Sequence, residues 1–143
     1  MVKDLKDIYG RARAAARGSD RDLNPHVDTP LFGAFRHVYV ADTDNQADEI
    51  ATPAYTAYYE NLMKLWRDFN TVNTLFTPKL AEAKSYDVAW SGSPKTVAAE
   101  INKYFEESGT NYVVLAVAWG SLTAEQARRS FDLLTNEVMP LVV

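Results

Sequence analysis

The chain contains no cysteine. That excludes a disulfide framework, a thiolate metal site and a cysteine nucleophile together. Histidine is scarce as well. His26 and His37 are the only two, and neither lies in an H-E-x-x-H pattern, so no metal centre is expected. No apolar run approaches the ~18 residues a membrane helix needs. Basic residues are not in excess: 15 Lys and Arg against 19 Asp and Glu leave a net charge of −4. Nucleic-acid binding normally requires a clustered basic face, so no such partner is expected. The phosphate-cradling G-x-x-x-x-G-K-[ST], the dinucleotide G-x-G-x-x-G and the G-x-S-x-G nucleophile elbow are all missing. The start lacks a signal-peptide apolar core, and Asp4 and Asp7 are wrong for a transit peptide. A soluble, cytoplasmic, single domain over 1–143 is the expectation.

What is present is alternation. Residues 3–17 carry Leu5, Ile8, Tyr9 and Ala12 on one stripe and read as a helix, with Gly18 as its stop. A proline-rich loop with Pro25, Pro30 and Gly33 completes an N-terminal segment, 1–34. "FRHVYVA" (35–41) is β-branched and aromatic, as a strand should be. His37 within it, beside Arg36, reads as a hydrogen-bonded structural residue. Thr43 and Gln46 form a T-x-x-Q capping box for the next helix. Pro53 should kink or restart that helix. Beyond it Tyr55, Tyr58, Tyr59, Leu62, Trp66 and Phe69 recur at three and four, which reads as core.

"WSGSPKTVAAEIN" (90–102) is an abrupt joint. An apolar strand candidate over 86–90 ends at Trp90, and Ser93 before Pro94 is a helix N-cap. Val97, Ile101, Tyr104 and Phe105 share the following helix face. The Ser91-Gly92-Ser93 start is a candidate anion site, since a helix opens with unpaired N–H groups; alone it is a weak signal. "NYVVLAVAW" (111–119) is nearly all apolar, so a parallel strand over 112–118 with Val114 and Ala116 buried is expected. Gly120 turns the chain, Thr123 and Gln126 repeat the capping box, and Ala127, Phe131, Leu134 and Val138 form one helix face ended by Pro140. Strands alternating with helices imply an α/β fold of three parallel βα units over 35–143.

Three stretches in order, "RHVYVADTDNQA" (36–47), "GSPKTVAAEI" (92–101) and "NYVVLAVAWGSLTAEQARRSFDLLTNEVMP" (111–140), resemble the C-terminal part of the luciferase-like flavin monooxygenases. The third is the most specific. The similarity runs from about Ile8 to the end and covers less than half of that family's domain. It implies a partial TIM barrel, a reduced FMN or F420 cofactor, and dimerisation. The three strands would be the last three of the barrel, the first ending at Ala41 and Asp42. Trp90, Ser91, Trp119 and Gly120 would then be cofactor-binding residues at the pocket; no catalytic residue emerges.

The chain has no counterpart of the five earlier strands, which hold most of the flavin contacts in that family. FMN should therefore bind weakly or not at all to this chain alone. The function implied is a flavin-dependent monooxygenase fragment or subunit, inactive without the complementary barrel half. The other reading is a non-catalytic remnant serving as an assembly domain. Three parallel strands cannot close a barrel and leave open edges. A second copy of the chain or the complementing half should cover them, unless the N-terminal helix and loop fold over an edge.

Overall fold

The computed structural model describes residues 2–71 and 76–143. Helix α1 spans Val2–Ala16 and breaks where Gly18 turns left-handed at φ 75°. After the loop, β1 runs Gly33–Val40. Helix α2 covers Asp44–Asp68 without interruption at Pro53. Its Thr43 cap accepts a hydrogen bond from Gln46 N at 3.2 Å. A short helix α3, Leu80–Ser85, follows. Strand β2 is Ala89–Gly92, displaced from the expected 86–90 because the chain leaves α3 through Tyr86 and a left-handed Asp87. Helix α4 spans Pro94–Ser108 and ends at Gly109, φ 64°. Strand β3 is Tyr112–Ala116 and α5 is Ala124–Leu133, opened by the full Thr123–Gln126 capping box. A π-helical turn, Leu134–Val138, and a 3-10 turn, Met139–Leu141, continue it.

All three strands are parallel, in the order β2-β1-β3. This is an open α/β sheet with flanking helices, in keeping with a partial barrel-like fold. The strands do not follow chain order, however, because β1 lies in the middle. One crossover therefore steps to one side of β1 and the next returns past it. Right-handed crossovers in opposite directions put their helices on opposite faces. The packing shows that result. Val38 and Val40 of β1 join Trp90, Val97, Ile101, Tyr104, Leu133 and Val138 in a core against α4 and α5. Tyr39 and Ala41 point the other way, onto Ala47, Ala51 and Tyr55 of α2, Leu80 of α3, and Trp119.

The free edges differ. On β2, Val88 O and Gly92 O accept from His37 N and Ala41 N of β1. Pleat alternation then aims the Ser91 carbonyl outward. Lys84 of α3 donates to it at 2.6 Å and lies 3.8 Å from Asp48 and 4.0 Å from Glu100. A charged side chain thus blocks that edge. Among the described residues, strand β3 has no such cover. Contrary to the expectation of a strand buried on both faces, Val114 is 49% exposed and Ala116 only half-buried. Val113 and Leu115 pack on the α4–α5 core. On the opposite face, where Val114 registers with an exposed Phe35, no helix among the described residues covers that level. Phe131 is likewise exposed, and Ser130 takes its place on the buried side of α5. On α1, Leu5 and Ile8 face outward.

Gly120 fixes how the segment after β3 meets α2. Its φ is 59°, and a Cβ there would overlap the Ala54 carbonyl oxygen and come within 3.1 Å of Tyr58 N. Gly120→Ala should therefore reduce unfolding free energy by about 2–4 kcal/mol in a urea titration. Gly10→Ala, where an added methyl meets nothing within 4 Å, should instead be neutral or stabilise by up to ~1 kcal/mol.

Candidate functional site

The carboxyl end of β1 opens into a hollow of about 280 Å³. Tyr39, Val40 and Ala41 form its floor, α2 contributes Gln46 and Ile50, and the first turns of α5 contribute Glu125, Gln126 and Arg129. Asp42 at the rim accepts from Arg129 Nη2 at 2.6 Å, an exposed ion pair. Burial, and then the nearby Asp42 charge, raise the Tyr39 phenol above its usual value of 10.0. The phenol is thus a neutral donor at physiological pH. The set can recognise polar groups, and it contains no nucleophile–base pair.

The joint before α4 is closed by the chain itself. Asp44 Oδ1 accepts from Ser93 N at 2.6 Å. The Ser93 backbone, then the Thr96 and Ser93 hydroxyls, hold the Asp44 carboxyl below the usual carboxylate range. Ser93 occupies the N-cap position, but its side chain makes no capping bond to the helix backbone and instead meets Thr96 Oγ1 at 3.1 Å. The expected cap is thereby corrected: a carboxylate from α2 does the work, because it brings full charge to the helix dipole. Gly92 admits it, since a Cβ there would stand 2.9 Å from Asp44 Oδ1.

Two side chains finish the sheet where β3 stops. The last β3 register pair is His37 with Ala116. Beyond it, Val38 O and Val40 N still face the β3 side. Trp119 Nε1 donates to Val38 O at 3.2 Å, and Ser130 Oγ accepts from Val40 N at 2.8 Å. Trp119 is thereby buried in the α2-side core, while Trp90 lies in the α4–α5 core on the other face. Ser91 is fully buried and Gly120 lies against α2. None of the four lines the β1 hollow, and the sheet separates the two tryptophans. Sequence reasoning missed Asp44 and Ser130. A serine amid the apolar positions of α5 was the available signal for the second.

His37 is 5% exposed, and its ring lies 4.3 Å from Tyr58, 5.3 Å from Phe35 and 5.7 Å from Trp119. Its Nδ1 has no hydrogen-bond partner. The hydrogen-bonded role expected from sequence is replaced by an aromatic enclosure, and burial lowers its pKa from 6.5 to about 4. It is neutral at pH 7.

No family model matches this chain, and no curated protein matches it. Solved structures do. The oxygenating constituent of 3,6-diketocamphane monooxygenase from Pseudomonas putida, a type II Baeyer–Villiger monooxygenase in complex with FMN, superposes with a TM-score of 0.66 at 22% identity. That match covers 99% of this chain and 40% of the other. The monooxygenase RslO1 from Streptomyces bottropensis gives 0.69 at 20% identity, over 97% of this chain and 37% of its own. At these identities the likeness establishes the fold. The chain spans about two fifths of either protein's length.

An FMN phosphate does not fit the strand ends as they stand. Asp44 fills the start of α4, Thr43 and Thr123 cap α2 and α5, and Asp42 and Glu125 set negative charge around an already paired Arg129. Among the described residues, the cation lining the β1 hollow, Arg129, is already paired with Asp42, so a dianion in that hollow meets no unpaired charge. Among the described residues, no helix is long and apolar enough to cross a membrane, and no cluster of three His, Asp or Glu is arranged to hold a metal.

Two measurements probe this arrangement. Asp44→Ala should lower stability at pH 7 by about 1 kcal/mol, as loss of a helix cap does. Because the folded pKa is depressed, the gap to the parent should persist above the unfolded carboxylate pKa and close as pH falls through the folded one. For His37 the folded pKa also lies below the unfolded one, so the unfolded chain binds the extra proton. Stability should drop by about 2 kcal/mol as pH falls from 6.5 to 4, a value discounted for partial solvent screening. His37→Phe should flatten that segment of the pH–stability curve.

Proposed function

We propose that this chain is the C-terminal portion or subunit of a luciferase-like, flavin-dependent monooxygenase, and that it acts only with the rest of the barrel. The observation that carries this is the superposition of nearly the whole chain onto about two fifths of an FMN-bound monooxygenase. FMN is the cofactor proposed for the assembly, with F420 as the alternative that the sequence resemblance leaves open. A reduced flavin would supply the oxygen-activating chemistry, and the protein would supply orientation and shelter. The phosphate grip must then come from elsewhere, since the strand ends here are closed by the chain's own carboxylates and caps. In this reading the present chain contributes the β1 hollow, with the Tyr39 phenol as a neutral donor beside it. The family resemblance assigns cofactor contact to Trp90, Ser91, Trp119 and Gly120, which stand near the end of β2 and just beyond β3.

The same reading assigns a partner to the open β3 edge. Unpaired backbone groups and the exposed Phe35, Tyr112 and Val114 suit an added strand. The complementing barrel half is the proposed occupant, and a second copy of the chain is the competitor. The purified chain alone should retain no FMN through gel filtration. Mixed or co-expressed with a polypeptide carrying the complementary barrel half, it should form a complex that retains FMN and consumes oxygen when the flavin is reduced. Stoichiometric FMN on the isolated chain that excess AMP does not displace would overturn the split reading. A complex that forms but neither holds flavin nor consumes oxygen would favour the non-catalytic assembly role.

A further inference from the structure

A concavity of about 590 Å³ lies at the opposite end of the sheet, between α1 and the 18–32 loop. That is within the range of small-molecule sites. Helix α1 is seated there in an unusual sense. Lys6, Gly10, Arg13 and Arg17, spaced four, three and four, line the groove, while Leu5 and Ile8 are 51% and 54% exposed. A helix with an apolar stripe available has turned cations toward the body of the protein. Residues 2–17 hold five cations, Lys3, Lys6, Arg11, Arg13 and Arg17, and two carboxylates, Asp4 and Asp7, a net of +3 in a chain whose total is −4.

The groove is also built. Lys6 Nζ donates to Gly109 O, and Arg13 donates to Val27 O, so two cations pin the helix. Asn111 accepts from Phe32 N at 2.7 Å and donates to Pro30 O at 3.0 Å, fixing the far wall. Phe32 on that wall and Tyr9 on the helix stand 6.3 Å apart between ring centres. Arg11 and Arg17 line the groove without forming an ion pair among the described residues, and the carboxylates Asp7 and Asp22, the latter accepting from Gly18 N at 3.0 Å, line it beside them. Gly10 leaves the floor clear.

We propose that this groove binds a small phosphorylated aromatic molecule of the mononucleotide class. Arg11 and Arg17 meet the phosphate as charge-assisted donors, and Tyr9 with Phe32 receives the ring. A nucleic-acid polymer is disfavoured by the chain's net negative charge and the small extent of the basic face. The inference is independent of the flavin reading: the site lies at the other end of the strands, and it needs no complementing chain.

Calorimetric titration of the full chain with AMP tests it, with adenosine and pyrophosphate as separate arms. AMP should bind more tightly than either, and the affinity should fall as salt is raised. An Arg11→Gln/Arg17→Gln double variant should weaken AMP at least tenfold, and Gly10→Trp should block it while circular dichroism shows the fold intact. Gly10→Ala should bind as the parent does. No heat with millimolar AMP would overturn the proposal. So would adenosine matching AMP, pyrophosphate matching AMP, or a folded Gly10→Trp variant that binds normally.

Discussion

Everything in this fold depends on β1 having a neighbour on each side. A strand in that position must bury both faces, and its alternation does so: Val38 and Val40 feed one core, Tyr39 and Ala41 the other. The two crossovers then have no choice of face, because a right-handed connection stepping away from β1 and one returning past it must lie on opposite sides. From that follows the separation of Trp90 from Trp119. It also follows that β1 outruns the short β3, leaving backbone groups that a core cannot tolerate unpaired. Trp119 Nε1 and Ser130 Oγ satisfy them. Residues that look like pocket lining are thus needed to complete the sheet.

The strand ends are electrostatically self-sufficient. Three helices begin there, and each start is filled from within: α2 and α5 by local threonines, α4 by Asp44 from across the chain. A helix start so occupied is a fastening between layers rather than a phosphate cradle. Charge is distributed to match. Acidic groups gather at the carboxyl ends of the strands, and the densest run of cations lies in α1 at the amino ends. The two ends of the sheet are therefore suited to different ligands.

The edges show the same division between self-sufficiency and need. Lys84 reaches the outward Ser91 carbonyl and closes the β2 side. On the β3 side, nothing comparable among the described residues reaches Val114 and its register partner Phe35. Helix α1 is pinned through Lys6 and Arg13 at the strand starts, where it forms the wall of a groove rather than a cover for the edge.

Local pattern alone determined the order of the elements other than the short α3, the three parallel strands and two of the helix caps. Thr43 with Gln46, Thr123 with Gln126, and the α4 face of Val97, Ile101 and Tyr104 are short-range features, readable because helix periodicity and capping act within a few residues. The tertiary structure alone decided the rest. Strand order is invisible to periodicity, since β3 reads as doubly buried whether it is central or at an edge; placed at the edge, Val114 is exposed. Asp44 reads as an ordinary acidic first-turn residue until α2 and α4 are brought together across 49 positions. Trp90 stands within β2 and Trp119 three residues past the end of β3, and only the folded sheet shows which face each meets. The pairing that sets the sheet comes from partners far away in the chain, and so the sheet, not the local sequence, decided that Trp90 and Trp119 pack in cores on opposite faces.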